Sequence, residues 1–167
     1  MLLTYSRPLW GASTKPLSVY DREAEVGSMH RWFHEQNDRP SRSSVHDVNI
    51  VMEAADRYAI VQQAFDKGHT WHVFQNHMHI ADMTSLHSSK HKYAVTLSGM
   101  NHLPEVTIQL QWNGQGHIYV KDECVGETKR TGFLWKAAVE TRTEQIAVGI
   151  SPALLAAMVY AFWSGHS

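Results

Sequence analysis

The chain has 167 residues, 43% of them apolar and 19% charged, with a formal net charge of −1. That length suits one domain, residues 1–167, with one sizeable core, and no like-charge block or low-complexity tract marks a disordered tail. A balance of 15 basic and 16 acidic residues excludes a global field for nucleic acid, so any polyanion site must be a local patch. Protonation of all twelve histidines would take the charge from −1 to +11, so acid makes the molecule basic. Cys124 is the single cysteine, which excludes an intrachain disulfide and a zinc site of several thiolates. A reducing compartment follows as the expectation. MLLTYSRPLW lacks the basic-then-apolar order of a secretory signal, so the reading is cytoplasmic.

Alternation with period two, broken by Gly, Pro, Asn and Asp, predicts many short antiparallel strands. In chain order they fall near 2–10, 16–21, 25–33, 47–54, 57–65, 69–75, 78–86, 91–98, 105–112, 116–122, 125–130, 133–141 and 144–149. The polar stretch 36–44 joins two of them as a long connection. Trp71, Trp112 and Trp135 fall inside these strands and are expected in the core or the barrel wall.

One unit recurs. VYDREAEVGSM (19–29) aligns without a gap on VFQNHMHIADM (73–83), which sets Val26 against Ile80, Gly27 against Ala81 and Met29 against Met83. YVKDECVGETKR (119–130) is a shorter third copy that keeps Val125 and Gly126. Each copy reads as strand, tight polar turn, strand, with a small residue that permits a bulge or a close backbone approach.

The copies carry the candidate chemistry. His77 and His79 flank the second turn, and two residues apart in one strand they share a face, as metal ligands require. His69, His72 or His87 would complete the set for a divalent transition metal, in a metal-binding barrel or a small-molecule enzyme. A cupin motif also opens with His-x-His but needs a glutamate soon after; here Asp82 comes next, and no glutamate precedes Glu105. Exposed turn histidines without a ligand fit the same pattern. Lys121, Lys129 and Arg130 flank the third turn, with Arg22 and Arg31 at comparable places in the first, a set suited to an anionic head group. A solvated strand surface is the simpler reading of those cations. Cys124 beside Glu123 has an acidic setting, which disfavours a thiolate nucleophile.

IAVGISPALLAAMVYAFW (146–163) carries no charge. Ser151 before Pro152 is a helix start, and the predicted helix over 152–163 is apolar on every face, so it belongs inside the protein. Its length of about 18 Å falls short of the roughly 30 Å hydrocarbon core, which argues against a tail anchor. GISPA (149–153) imitates a hydrolase nucleophile elbow, but Pro152 has no N–H to give to an oxyanion hole.

Three stretches carry a family resemblance: the "VYD…VGSM" hairpin unit, IYVKDECVGETKRTGFLWKAAVE, and IAVGISPALLAAMVYAFW. With them the chain resembles the tubby C-terminal-like superfamily, which includes LURP-one-related proteins and phospholipid scramblases. The resemblance implies an antiparallel barrel of some twelve strands, closed around a hydrophobic carboxyl-terminal helix. It also implies a non-enzymatic module that binds anionic lipid head groups or a membrane surface, or an adaptor for a protein partner. The chain lacks the acylated cysteine cluster of scramblases, and no lipid-binding residue of the superfamily carries over.

Overall fold

A computed structural model describes residues 1–8, 13–88, 92–144 and 148–166, with His87, Ser88 and Lys92 described by backbone alone. The strands are β1 (Leu2–Ser6), β2 (Leu17–Asp21), β3 (Ala24–Trp32), β4 (Asn49–Glu53), β5 (Arg57–Phe65), β6 (His69–Gln75), β7 (Met78–Ser88), β8 (Lys92–Gly99), β9 (Val106–Leu110), β10 (Gly116–Val120), β11 (Glu123–Thr131) and β12 (Ala138–Thr143). They form a closed antiparallel barrel in which each strand pairs with its sequence neighbours and β1 closes on β12. Closure leaves no edge strand among the described residues. The alternating pattern of the sequence is the pattern of this wall: Val19, Met29, Ile50, Met52, Ile60, Val73, Leu97 and Ile118 are all fully buried.

The helix α1 (Pro152–Gly165) fills the barrel. Ser151 caps it, with its Oγ accepting from the Leu154 N–H at 3.1 Å and donating to the Tyr58 hydroxyl at 3.0 Å. Every residue from Ala153 to Trp163 is buried, which is why a helix without a polar face is stable here. Tyr160 packs on Tyr5 of β1 and Phe162 on Tyr93 of β8, so the helix touches opposite parts of the wall. No helix among the described residues is long and apolar enough to cross a membrane.

Strict up-and-down order gives the barrel two ends. The connections β2–β3, β4–β5, β6–β7, β8–β9 and β10–β11 lie at the lower end, where α1 begins; β1–β2, β3–β4, β5–β6, β7–β8, β9–β10 and β11–β12 lie at the upper end, where α1 finishes.

The three repeated hairpins share one backbone device. Registers shift after Val19 in β2, Val73 in β6 and Ile118 in β10, so Val26, Ile80 and Val125 are the extra residues of three equivalent bulges. The turns are tight and left-handed, with positive φ at Arg22, at Asn76 and His77, and at Lys121 and Asp122. After the first and third bulges the backbone runs close to the next strand: a Cβ on Gly27 would collide with the carbonyl oxygen of Glu53, and one on Gly126 with that of Arg142.

The outlines of β9 and β12 correct the sequence reading. β9 stops at Leu110 and β12 starts at Ala138, so Trp112 and Trp135 lie in connections and are 99% and 79% exposed, whereas Trp71 is buried as expected. A strand at 144–149 is not found among the described residues; residues 145–147 lie outside them.

Candidate functional site

At the upper end, two neighbouring connections project apolar side chains into solvent. In the β9–β10 connection the Gln111 N–H donates to the Gln115 carbonyl at 2.7 Å, and the Asn113 carboxamide oxygen accepts from the Gln115 N–H at 3.0 Å. That tight turn holds Trp112 outward. In the β11–β12 connection Gly132 adopts φ 70°, and its missing side chain avoids the carbonyl oxygen of Lys136. The Lys136 N–H donates to Phe133 O at 3.2 Å and the Ala137 N–H to Leu134 O at 3.0 Å. This short turn leaves Phe133, Leu134 and Trp135 exposed by 78, 44 and 79%. Because β10 pairs with β11, both turns stand side by side.

The charge of the two ends differs. Among the described residues the upper connections hold Arg7, Lys15, Arg39, Arg42, Lys67 and Lys136 against Glu35, Asp38, Asp47 and Asp66. The lower connections and the segment after β12 hold Arg22 and Lys121 against Glu23, Asp56, Glu105, Asp122 and Glu144. The upper end is therefore net positive and the lower end net negative. Arg7 is anchored by its N–H to Ala137 O at 2.8 Å, which ties its segment to the aromatic turn.

The five predicted cations do not form one patch. Arg22 and Lys121 are exposed at lower-end turns. Lys129 meets Glu140 of the neighbouring strand β12 at 3.7 Å. Arg31 is 4% exposed and works inside the barrel, donating to the carbonyls of Asp47 at 2.7 Å and Val45 at 3.2 Å. Burial pushes its pKa down, against Tyr160 and Asp47, which push it up. Arg130 alone belongs to the upper opening. Although much of it is exposed, its guanidinium donates to Trp163 O at 2.8 Å and lies 4.6 Å over the Trp163 ring. It satisfies a carbonyl at the negative end of the helix dipole. Burial of the guanidinium and the like charge of Arg7 lower its pKa, while Tyr5 raises it.

The histidines divide in the same way. His69 is buried inside the barrel, stacked on Trp71 with ring centroids 4.9 Å apart, and the wall separates it from His72. His77 occupies the β6–β7 turn at φ 71°, so it does not share a strand face with His79. It borders an outer groove of about 450 Å³ lined by Trp32, Val51, Ala59, Val61 and Phe74. His87 pairs with Tyr93 by backbone in β7.

His72 and His79 do meet, and the residue that joins them is Asp82. His72 stands directly across from Asp82, and Phe74 across from His79. The His79 Nε2 lies 2.7 Å and the His72 Nε2 3.7 Å from the Asp82 Oδ1, with the two rings 4.6 Å apart. Sequence spacing hides this group. Residues three apart in a regular strand point to opposite faces, and the Ile80 bulge alone brings His79 and Asp82 to one side.

The molecule is thus a closed antiparallel β-barrel with an internal apolar helix and a polarised pair of ends. Comparison with family models, with curated proteins and with solved structures returns no match.

Proposed function

We propose that the chain is a non-enzymatic module that binds an anionic lipid surface through the upper end of its barrel. The observation that carries this reading is the joint exposure of Trp112, Phe133, Leu134 and Trp135 on adjacent tips at the positive end. Tryptophan and phenylalanine partition into the interfacial zone of a bilayer, and cations beside them are drawn to acidic head groups. Arg7 and Lys136, both exposed, supply those cations. The negative lower end favours one orientation, with the aromatic tips toward the lipid. The resemblance to the tubby C-terminal-like superfamily points the same way, although the residues differ from the hairpin cations of the sequence reading.

Co-sedimentation of the pure chain with neutral and anionic vesicles, in low and in high salt, tests this. Binding to anionic vesicles that weakens in salt is expected. Absence of binding to either kind overturns the proposal.

A further inference from the structure

We infer that the outer wall carries a second site, independent of the lipid surface, for a late first-row divalent metal ion, held by His72, His79 and Asp82. Two imidazoles and one carboxylate form a donor set suited to zinc, cobalt and their neighbours. One ligand atom from each residue falls within 4.8 Å of the other two. Donors around a tetrahedral zinc ion lie about 3.3 Å apart, as its bond lengths of about 2.0–2.1 Å require. The 2.7 Å His79–Asp82 contact must therefore open by about 0.6 Å and the 3.7 Å His72–Asp82 contact close by about 0.4 Å. The two imidazole donors, within 4.8 Å of each other, must also draw together, so occupation of the site requires all three side chains to rotate.

The backbone prepares the site. His72 comes from β6 and the other two donors from β7, so the hairpin register fixes the spacing before any ion arrives. The bulge at Ile80 presents His79 to Asp82, and His79 Nε2 also lies 3.0 Å from Ala81 O. To bind an ion through Nε2, His79 takes the neutral tautomer with its proton on Nδ1: the Nε2 proton is released to water and Nδ1 takes one up, leaving the imidazole neutral. The side chains of His72, His79 and Asp82 are 40, 31 and 48% exposed, so an ion can enter and its remaining positions stay open to water or an outside ligand.

Zinc and cobalt titrations of the full chain without an affinity tag test the inference. Calorimetry should give one ion per chain, and cobalt should develop visible absorption characteristic of a low-coordinate nitrogen–oxygen site. His79→Ala and Asp82→Asn should each weaken affinity by at least about tenfold. His77→Ala and Cys124→Ser should leave it within about twofold, because neither residue belongs to the donor set. All four positions are exposed or half-exposed, so unchanged thermal melting will confirm that the variants fold. Absence of stoichiometric binding, or equal binding by His79→Ala and the wild type, overturns the site. Neither result bears on vesicle binding.

Discussion

Replacing Trp112 with serine tests the lipid reading most sharply, because a side chain 99% exposed has almost no packing to lose. A tryptophan side chain presents about 200 Å². At about 25 cal/mol per Å², complete removal from water is worth roughly 5 kcal/mol and immersion to half depth about 2.5 kcal/mol. The smaller figure corresponds to roughly sixtyfold in partitioning. Vesicle co-sedimentation should therefore show a loss of that order for Trp112→Ser, and a larger one when Trp135→Ser is added. Thermal melting in the absence of lipid should not move. In the wild type, tryptophan emission should shift to the blue on binding, by less in each single variant. Two results would refute the reasoning: unchanged binding of Trp112→Ser, or a weakened binding that is matched by a lower melting temperature.

Charge reversal separates the two ends: Arg7→Glu and Lys136→Glu should each weaken anionic-vesicle binding more than about tenfold, whereas Arg22→Glu and Lys121→Glu should not weaken it, as co-sedimentation will show. Gly126→Val forces a side chain against the carbonyl oxygen of Arg142 and should lower stability by more than about 2 kcal/mol, read from the urea midpoint. Tyr5, Tyr93 and Tyr160 have pKa values raised by burial, with Tyr160 adding to the rise at Tyr5, and Arg31 opposing it at Tyr160. Below about pH 10 both the folded and unfolded chains keep these protons; above it the unfolded chain loses them first. Their contribution to stability should thus fall by about 1.4 kcal/mol per pH unit for each tyrosine, and Tyr93→Phe should make the fall in urea stability shallower.

Much of the architecture is legible in the sequence because it depends on local patterns. Gly27 and Gly126 announced the bulged hairpins, and the unbroken apolar run ending at Trp163 announced a helix that needs protein all around it. What was not legible depends on where strands stop and which face a residue takes. Trp112 and Trp135 extend an apolar alternation, so their bulk reads as core, yet the ladders end at Leu110 and begin again at Ala138. Asp82 does not read as a ligand because regular alternation puts it behind His79, and a one-residue bulge reverses that. Arg31 reads as a solvated charge, although it shares the inward parity of Met29; only the folded 33–48 connection supplies the carbonyls that accept it. His69 likewise shares the inward parity of Trp71.

The three bulges set different side chains in one geometric frame. Where the β6–β7 hairpin has His72, His79 and Asp82, the β2–β3 hairpin has Ser18, Glu25 and Ser28, and the β10–β11 hairpin has His117, Cys124 and Glu127. Even the fold-back is repeated, since Cys124 Sγ approaches Gly126 O at 3.6 Å as His79 Nε2 approaches Ala81 O. The frame is written by backbone hydrogen bonds and by a small residue, and its outward positions do not carry the core. The outer face of this wall is therefore modular in composition: three positions of equal register hold different side chains over one and the same barrel.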